Sequence, residues 1–269
     1  MPEAQVGDVK IHYTDIGEGD PLLLIMGFGM PGDAWLGVLP FLDGFHSIYF
    51  DNRGTGQSEK PEGPYTIPQM ADDAAGILDH LKIEPAHVYG VSMGGMIAQE
   101  LVLRHPQKVR SLVLGCTMCG GAHSRLGDQE VIDTLLEMVQ GMGRTDPETW
   151  VDRQLPIVFP RQWIAANPGF RDMLVMLAPL LPPTPPETAQ RAMAGLFGWT
   201  TYDRLPRIKA PTLIIHGDQD LIIPVENATV LKERIPGSQL HIVKGAGHGY
   251  PAQDPVAVHQ LVTEFFRAH

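Results

Sequence analysis

The sequence predicts an α/β protein, with a mostly parallel central sheet flanked by helices and a helical cap inserted between two late strands. Three observations predict it. Short apolar runs alternate with longer amphipathic stretches, as in strands joined by helical crossovers. Several runs are apolar almost without interruption, which suits strands buried on both faces of a parallel sheet. Residues 118–205 break that rhythm, with helical spacing and prolines but no strand-like run.

The elements follow in order. Residues 4–17 read as a hairpin at the sheet edge. Pro21–Met26 is a buried strand ending at Gly27, and Ser47–Phe50 is a second, ending at Asp51. His87–Val91, Ser111–Leu114, Thr212–His216 and Gln239–Val243 complete the set. Between them, Ala71, Ala74, Ala75, Leu78 and Leu81 mark one helix stripe, with Thr66 and Pro68 as start signals. Gly94–Arg104 carries Ile97, Ala98, Leu101 and Val102 at helical spacing and stops at Pro106. The last helix, residues 256–267, buries Val258, Leu261, Val262, Phe265 and Phe266. Parallel strands need such crossovers.

Residues 1–117 and 206–269 are therefore expected to form the core, and residues 118–205 the helical cap. Within the cap, Val131, Ile132, Leu135, Leu136 and Val139 form one stripe, and residues 173–181 and 188–197 are further helices. Its methionines, Met118, Met138, Met142, Met173, Met176 and Met193, suit core packing and also an adaptable apolar wall over a pocket.

The composition narrows the partners. A formal net charge of −11 disfavours nucleic acid and anionic membranes, which would repel the chain. No apolar run reaches the roughly 18 residues of a membrane span, and Met1–Lys10 shows no secretory signal pattern, so a cytoplasmic location is expected. Cys116 and Cys119 lack further ligands at zinc spacing and read as reduced, packed thiols; no metal and no cofactor is expected.

Gly90-Val91-Ser92-Met93-Gly94 carries the chemistry. A Gly-x-Ser-x-Gly segment between a strand and a helix forces a sharp turn that exposes the serine hydroxyl. The helix N-terminus behind it offers free N–H groups to a developing oxyanion. A serine needs a base. Of the 11 histidines, His248 in Gly245-Ala246-Gly247-His248-Gly249 is the glycine-flanked one after the last strand, at the sheet end where ligands bind. The acid that orients it is expected after the preceding strand, in His216-Gly217-Asp218-Gln219-Asp220. Asp220 is the preferred acid, with Asp218 serving the turn. The segment Gly115–Cys119 offers no carboxylate. Oxyanion donors are expected from the amides of Phe28 and Met93, and a largely apolar pocket from Gly27, Phe28, Met30, Met138, Met142, Met176, Leu221 and Ile222.

Together these residues resemble the α/β-hydrolase superfamily over essentially the whole chain. Asp51-Asn52-Arg53-Gly54-Thr55-Gly56-Gln57-Ser58 looks like the family's Asp-x-Arg-Gly-x-Gly-x-Ser signature, and Trp35 falls where such proteins often carry tryptophan. Ser92–Met96 is similar to enol-lactonases and aclacinomycin-methylesterase-like enzymes, among lid-bearing esterases, lactonases and cofactor-free haloperoxidases. One departure is Met26-Gly27 at the oxyanion loop, where many relatives have His-Gly; this removes polar support beneath the loop. Ser92 stands where dehalogenases and epoxide hydrolases of this fold use aspartate. The resemblance implies hydrolysis of a small-molecule ester or lactone through a Ser-His-Asp triad. Competing readings are carbon–carbon bond hydrolysis, with Arg125, Arg161 or Arg191 as a carboxylate clamp, perhydrolysis, and a receptor-like binder with a slow triad. The leucine- and methionine-rich insertion also offers a surface for a homodimer.

Overall fold

The structure, a computed structural model, describes residues 2–269. Glu3–Val6 (β1) and Val9–Ile16 (β2) form the N-terminal hairpin. Asp20–Ile25 (β3), Phe45–Phe50 (β4), Ala86–Val91 (β5), Val109–Gly115 (β6), Thr212–Gly217 (β7) and Gln239–Val243 (β8) follow. The sheet runs β1-β2-β4-β3-β5-β6-β7-β8, with β2 antiparallel to β1 and β4 and all later pairs parallel.

Side-chain alternation along β3 explains why the strand is apolar throughout. Leu23 and Ile25 enter one core, with Ile67–Leu81 (α1) and Met93–Arg104 (α2). Leu22 and Leu24 enter the other, with Trp35, Tyr89 and Pro255–Arg267 (α10). Strands β3 to β7 thus face a core on both sides, and each fully buried leucine contributes about 1.5–3 kcal/mol relative to exposure. The α1 start carries its expected cap, because Thr66 Oγ accepts from Gln69 N–H.

Between β6 and β7 lie Gln129–Gly141 (α3), Pro147–Val158 (α4), Arg161–Ala166 (α5), Gly169–Leu177 (α6) and Pro186–Leu196 (α7). Sequence periodicity finds α3, α6 and α7 but passes over α4 and α5. The first holds Pro156 inside the helix, and the second is only six residues long. A cluster of Phe159, Trp163 and Phe170, with ring centroids 4.8–5.1 Å apart, binds this part together. The helix Glu226–Arg234 (α8) also escapes the sequence reading, because Lys232, Glu233 and Arg234 leave little apolar stripe. A short helix, Tyr250–Gln253 (α9), precedes α10.

The feet of the insertion are pinned to α2. Gln99 donates to the Met118 carbonyl and accepts from Thr201 Oγ1 at 2.7 Å. Glu100, fully buried, accepts from Trp199 Nε1 and from the Arg204 guanidinium, both at 2.9 Å. A buried carboxylate survives only with such charge-assisted partners. Cys116 and Cys119 are free and buried, and burial pushes both thiols up. Among the described residues, no helix is long and apolar enough to cross a membrane.

Candidate active site

Ser92 sits between β5 and α2 with φ 55° and ψ −124°, a backbone conformation rare for a residue with a side chain. The surroundings hold it there. Its N–H donates to the Gly115 carbonyl, and its own carbonyl accepts from Thr117 Oγ1 at 2.7 Å. Glycine at position 94 is forced by close approach, since a Cβ there would lie 2.0 Å from the Ile25 carbonyl oxygen. The turn therefore presses directly against the end of β3, and the Ser92 side chain is left half-buried.

The loops after β7 and β8 bring together the two residues expected to be base and acid. His248 Nδ1 donates to Asp220 Oδ2 at 2.8 Å, with the imidazole 14% exposed and the carboxylate side chain fully buried. Asp220 Oδ1 accepts from the Ile222 and Ile223 amides, each at 2.9 Å. Burial pushes the Asp220 carboxyl up, but the charge of His248 and hydrogen bonds from His216 and His248 outweigh it. The group is held well below the usual carboxylate range, and so stays an acceptor. Asp218 acts on the backbone instead: its Oδ1 accepts the Gly245 amide at 2.7 Å and ties the two loops to each other. No hydrogen bond joins Ser92 Oγ to His248 among the described residues; such contacts often tighten only when substrate binds.

Sequence reasoning misses His216, which ends β7 and is fully buried. Its Nε2–H donates to the Ile223 carbonyl at 2.7 Å and lies 3.3 Å from Asp220 Oδ2, so it supports the same turn as Asp220. Its position next to Gly217-Asp218, at the end of a buried strand, is the signal that could have found it.

Gly27 packs on the serine: a Cβ at that position would lie 3.1 Å from Ser92 Cβ. The amides of Phe28 and Met93 make no hydrogen bond to other described residues, leaving two donors beside the serine turn. The loop that carries Phe28 has polar support despite Met26, which corrects the expectation from the missing histidine. Asn52 Nδ2 donates to the Met26 carbonyl at 3.1 Å, and the Gly32 amide donates to Asp51 Oδ1 at 2.7 Å. From the insertion, Thr184 Oγ1 donates to the Gly29 carbonyl at 2.7 Å. The Asp51–Ser58 segment thus also braces this loop.

The expected pocket residues divide. Phe28 is half-buried and packs with Val139, Met142, Ala189, Trp150 and Met193, so Met142 and its neighbours in the insertion lie against the Gly27–Met30 loop. Met30 and Ile222 are half-buried, and Met138 is buried on α3. Leu221 is 48% exposed, beside Gly127, whose amide donates to the Ile222 carbonyl. Met176 is a correction. It is 68% exposed, because α6 turns Leu174 and Val175 toward the Phe159 cluster and leaves Met176 facing solvent. The arginines expected of a carboxylate clamp are elsewhere engaged or exposed. Arg191 pairs with Glu62 at 2.7 Å and donates to the Pro61 carbonyl, while Arg125 and Arg161 are exposed.

Comparison with known proteins agrees with this architecture. A family model described as alpha/beta hydrolase fold matches residues 20–250. The chain is 30% identical over 267 residues to a candidate carbamate hydrolase, RutD, of Azorhizobium caulinodans, covering 98% of each. It is 30% identical over 276 residues to a 2-hydroxymuconate semialdehyde hydrolase of Pseudomonas sp. strain CF600, covering 96% of this chain and 90% of that one. The crystal structure of the enol-lactonase from Burkholderia xenovorans LB400 superposes with a TM-score of 0.83 at 26% identity, covering 99% of this chain and 100% of that one.

Proposed function

The chain belongs to the α/β-hydrolase family, and from that premise we propose that it is a serine hydrolase cleaving carboxylic esters or lactones of small, largely apolar substrates. The observation that carries this reading is the 2.8 Å bond from His248 Nδ1 to buried Asp220, at the same carboxyl end of the parallel strands as a serine held at φ 55°.

The chemistry runs in two acyl transfers. Ser92 Oγ forms a bond to the substrate carbonyl carbon while His248 Nε2 takes the hydroxyl proton. The carbonyl electron pair moves onto oxygen, where the Phe28 and Met93 amides stabilise it. The carbon–oxygen bond to the alcohol then breaks, and His248 returns its proton to the leaving oxygen. Water, deprotonated by His248, attacks the acyl-enzyme; the acid leaves and Ser92 regains its proton. Asp220 keeps the His248 proton on Nδ1 throughout and stabilises the imidazolium. The apolar cluster of Phe28, Met142 and Met193 supports a preference for an apolar acyl or alcohol group.

The semialdehyde hydrolase relative raises carbon–carbon cleavage as a second reading. The engagement of Arg191 by Glu62 weighs against the clamp that reading asks for. The test is a panel of p-nitrophenyl esters, small lactones, carbamates and 2-hydroxymuconate semialdehyde at pH about 7–8, with wild type and Ser92→Ala. Multiple turnover of esters or lactones, abolished by Ser92→Ala, is expected. Turnover that survives the substitution, or confinement to carbamates or carbon–carbon substrates, would overturn the proposal.

A further inference from the structure

The loop from Gly27 to Met30 has little structure of its own. Its one internal turn bond, Met30 N–H to the Gly27 carbonyl, is long at 3.4 Å. Gly29 has φ +68°, a conformation that costs glycine least and leaves the chain free to leave it. Asn52 and Asp51 fix the two ends of the loop at Met26 and Gly32, not its middle. Among the described residues, the other hydrogen bond to Phe28–Met30 comes from Thr184 of the insertion, 2.7 Å from the Gly29 carbonyl oxygen.

Thr184 is built to hold that place. It is 3% exposed and lies in Pro182-Pro183-Thr184-Pro185-Pro186, where four prolines fix the backbone on either side. Gly143, at the end of α3, leaves room for it, since a Cβ there would lie 3.1 Å from the Thr184 carbonyl oxygen. Above the same loop, Met142 closes the remaining space: a Cβ on Gly29 would lie 2.8 Å from Met142 Cε. The stiff strap, the hydroxyl and the methionine therefore grip the Gly29–Met30 peptide, two peptides on from the one that carries the Phe28 amide.

We infer that Thr184 is a positioning residue for the oxyanion loop, so that the helical insertion, besides walling the pocket, sets the Phe28 donor. This role rests on the ester- or lactone-cleaving reading above. It follows that a cap displaced from the core would release the Gly29 carbonyl and loosen the oxyanion site together with the pocket. A donor aligned for the transition state contributes to kcat more than to ground-state binding.

The test compares Thr184→Val, which keeps the shape and removes the hydroxyl, with Thr184→Ser, which keeps the hydroxyl. Two readouts are taken: ester kinetics, and amide hydrogen exchange across residues 27–32. For Thr184→Val, kcat is expected to fall about 10-fold with KM changed less than about twofold, and exchange in the loop to rise. Thr184→Ser is expected to restore both. Unchanged loop exchange in Thr184→Val overturns the anchoring, whatever the activity. Raised exchange with unchanged kcat, or a loss confined to KM, overturns the role in positioning the donor. Wild-type enzyme that turns over no ester or lactone overturns the reading beneath and this role with it, a failure recognisable because the loop exchange still rises in Thr184→Val.

Discussion

Asp220→Asn is expected to abolish most turnover while leaving the fold in place, and the hydrogen bonds of the site say why. Oδ1 accepts two backbone amides, from Ile222 and Ile223, at 2.9 Å. An asparagine must keep its carbonyl oxygen there, because an NH2 group would meet two N–H donors. Its NH2 then occupies the place of Oδ2, 2.8 Å from His248 Nδ1. An amide nitrogen only donates, so His248 must turn Nδ1 into the acceptor and carry its proton on Nε2. The nitrogen that should take the Ser92 proton is then already protonated. A wrong tautomer of this kind costs about 10⁴-fold in turnover, or roughly 5 kcal/mol of transition-state stabilisation. The assay is steady-state hydrolysis of the best p-nitrophenyl ester, with circular dichroism as the check on folding. Asp218→Asn, which keeps an oxygen for the Gly245 amide and loses the exposed ion pair with Lys244, is expected to stay within about 10-fold of wild type. Folded Asp220→Asn with kcat within about 10-fold of wild type, or Asp218→Asn as the more damaging variant, would refute the assignment of the acid.

Two further outcomes follow from the geometry. Gly27→Ala places a Cβ 3.1 Å from Ser92 Cβ and 3.6 Å from Ser92 Oγ, so turnover should drop roughly 10-fold or more while the melting temperature moves little; wild-type kinetics would show that the loop yields freely. His87 is fully buried on β5 with Ser111 Oγ 2.7 Å from Nδ1, and burial, reinforced by Arg110 and His269 against Asp20, pushes it down to about 4. Because the folded value lies below the unfolded one, the neutral form is favoured by folding. Its stability is whole above about pH 6.5 and is lost as pH falls toward 4, by about 3 kcal/mol. His87→Gln should flatten the fall of melting temperature between pH 7 and about 4.5, and an equally steep fall in the variant would remove His87 as the cause.

The middle of the sheet is readable because strands β3 to β7 are buried on both faces. Leu22–Ile25 and Thr212–Gly217 leave no polar face to blur the run, so their limits agree with the sequence pattern to about a residue. The serine turn was readable for a related reason. Close packing of Gly94 on the Ile25 carbonyl leaves one residue type for that position. His248 and Asp220 are legible because each follows a parallel strand in a short loop, so topology alone brings them to the same carboxyl end of the sheet. What escaped depends on contacts between distant segments. Thr184 meets Gly29 across 155 residues, and nothing in a proline-rich stretch announces a partner that far away. Met176 failed because periodicity names a helix but not which side of it meets the protein. In α6 the aromatic cluster takes Leu174 and Val175 instead.

Hydrolysis through the proposed serine mechanism passes through a covalent acyl group on Ser92, and trapping that group is the direct test. Wild-type protein would be mixed with excess p-nitrophenyl acetate, quenched in acid during turnover, and analysed by intact mass and peptide mapping, with Ser92→Ala alongside. One acetyl group per chain is expected on the peptide carrying Ser92, and none on that peptide in Ser92→Ala. Steady hydrolysis with the acetyl group on another residue, or with the same labelling and rate in Ser92→Ala, would contradict it.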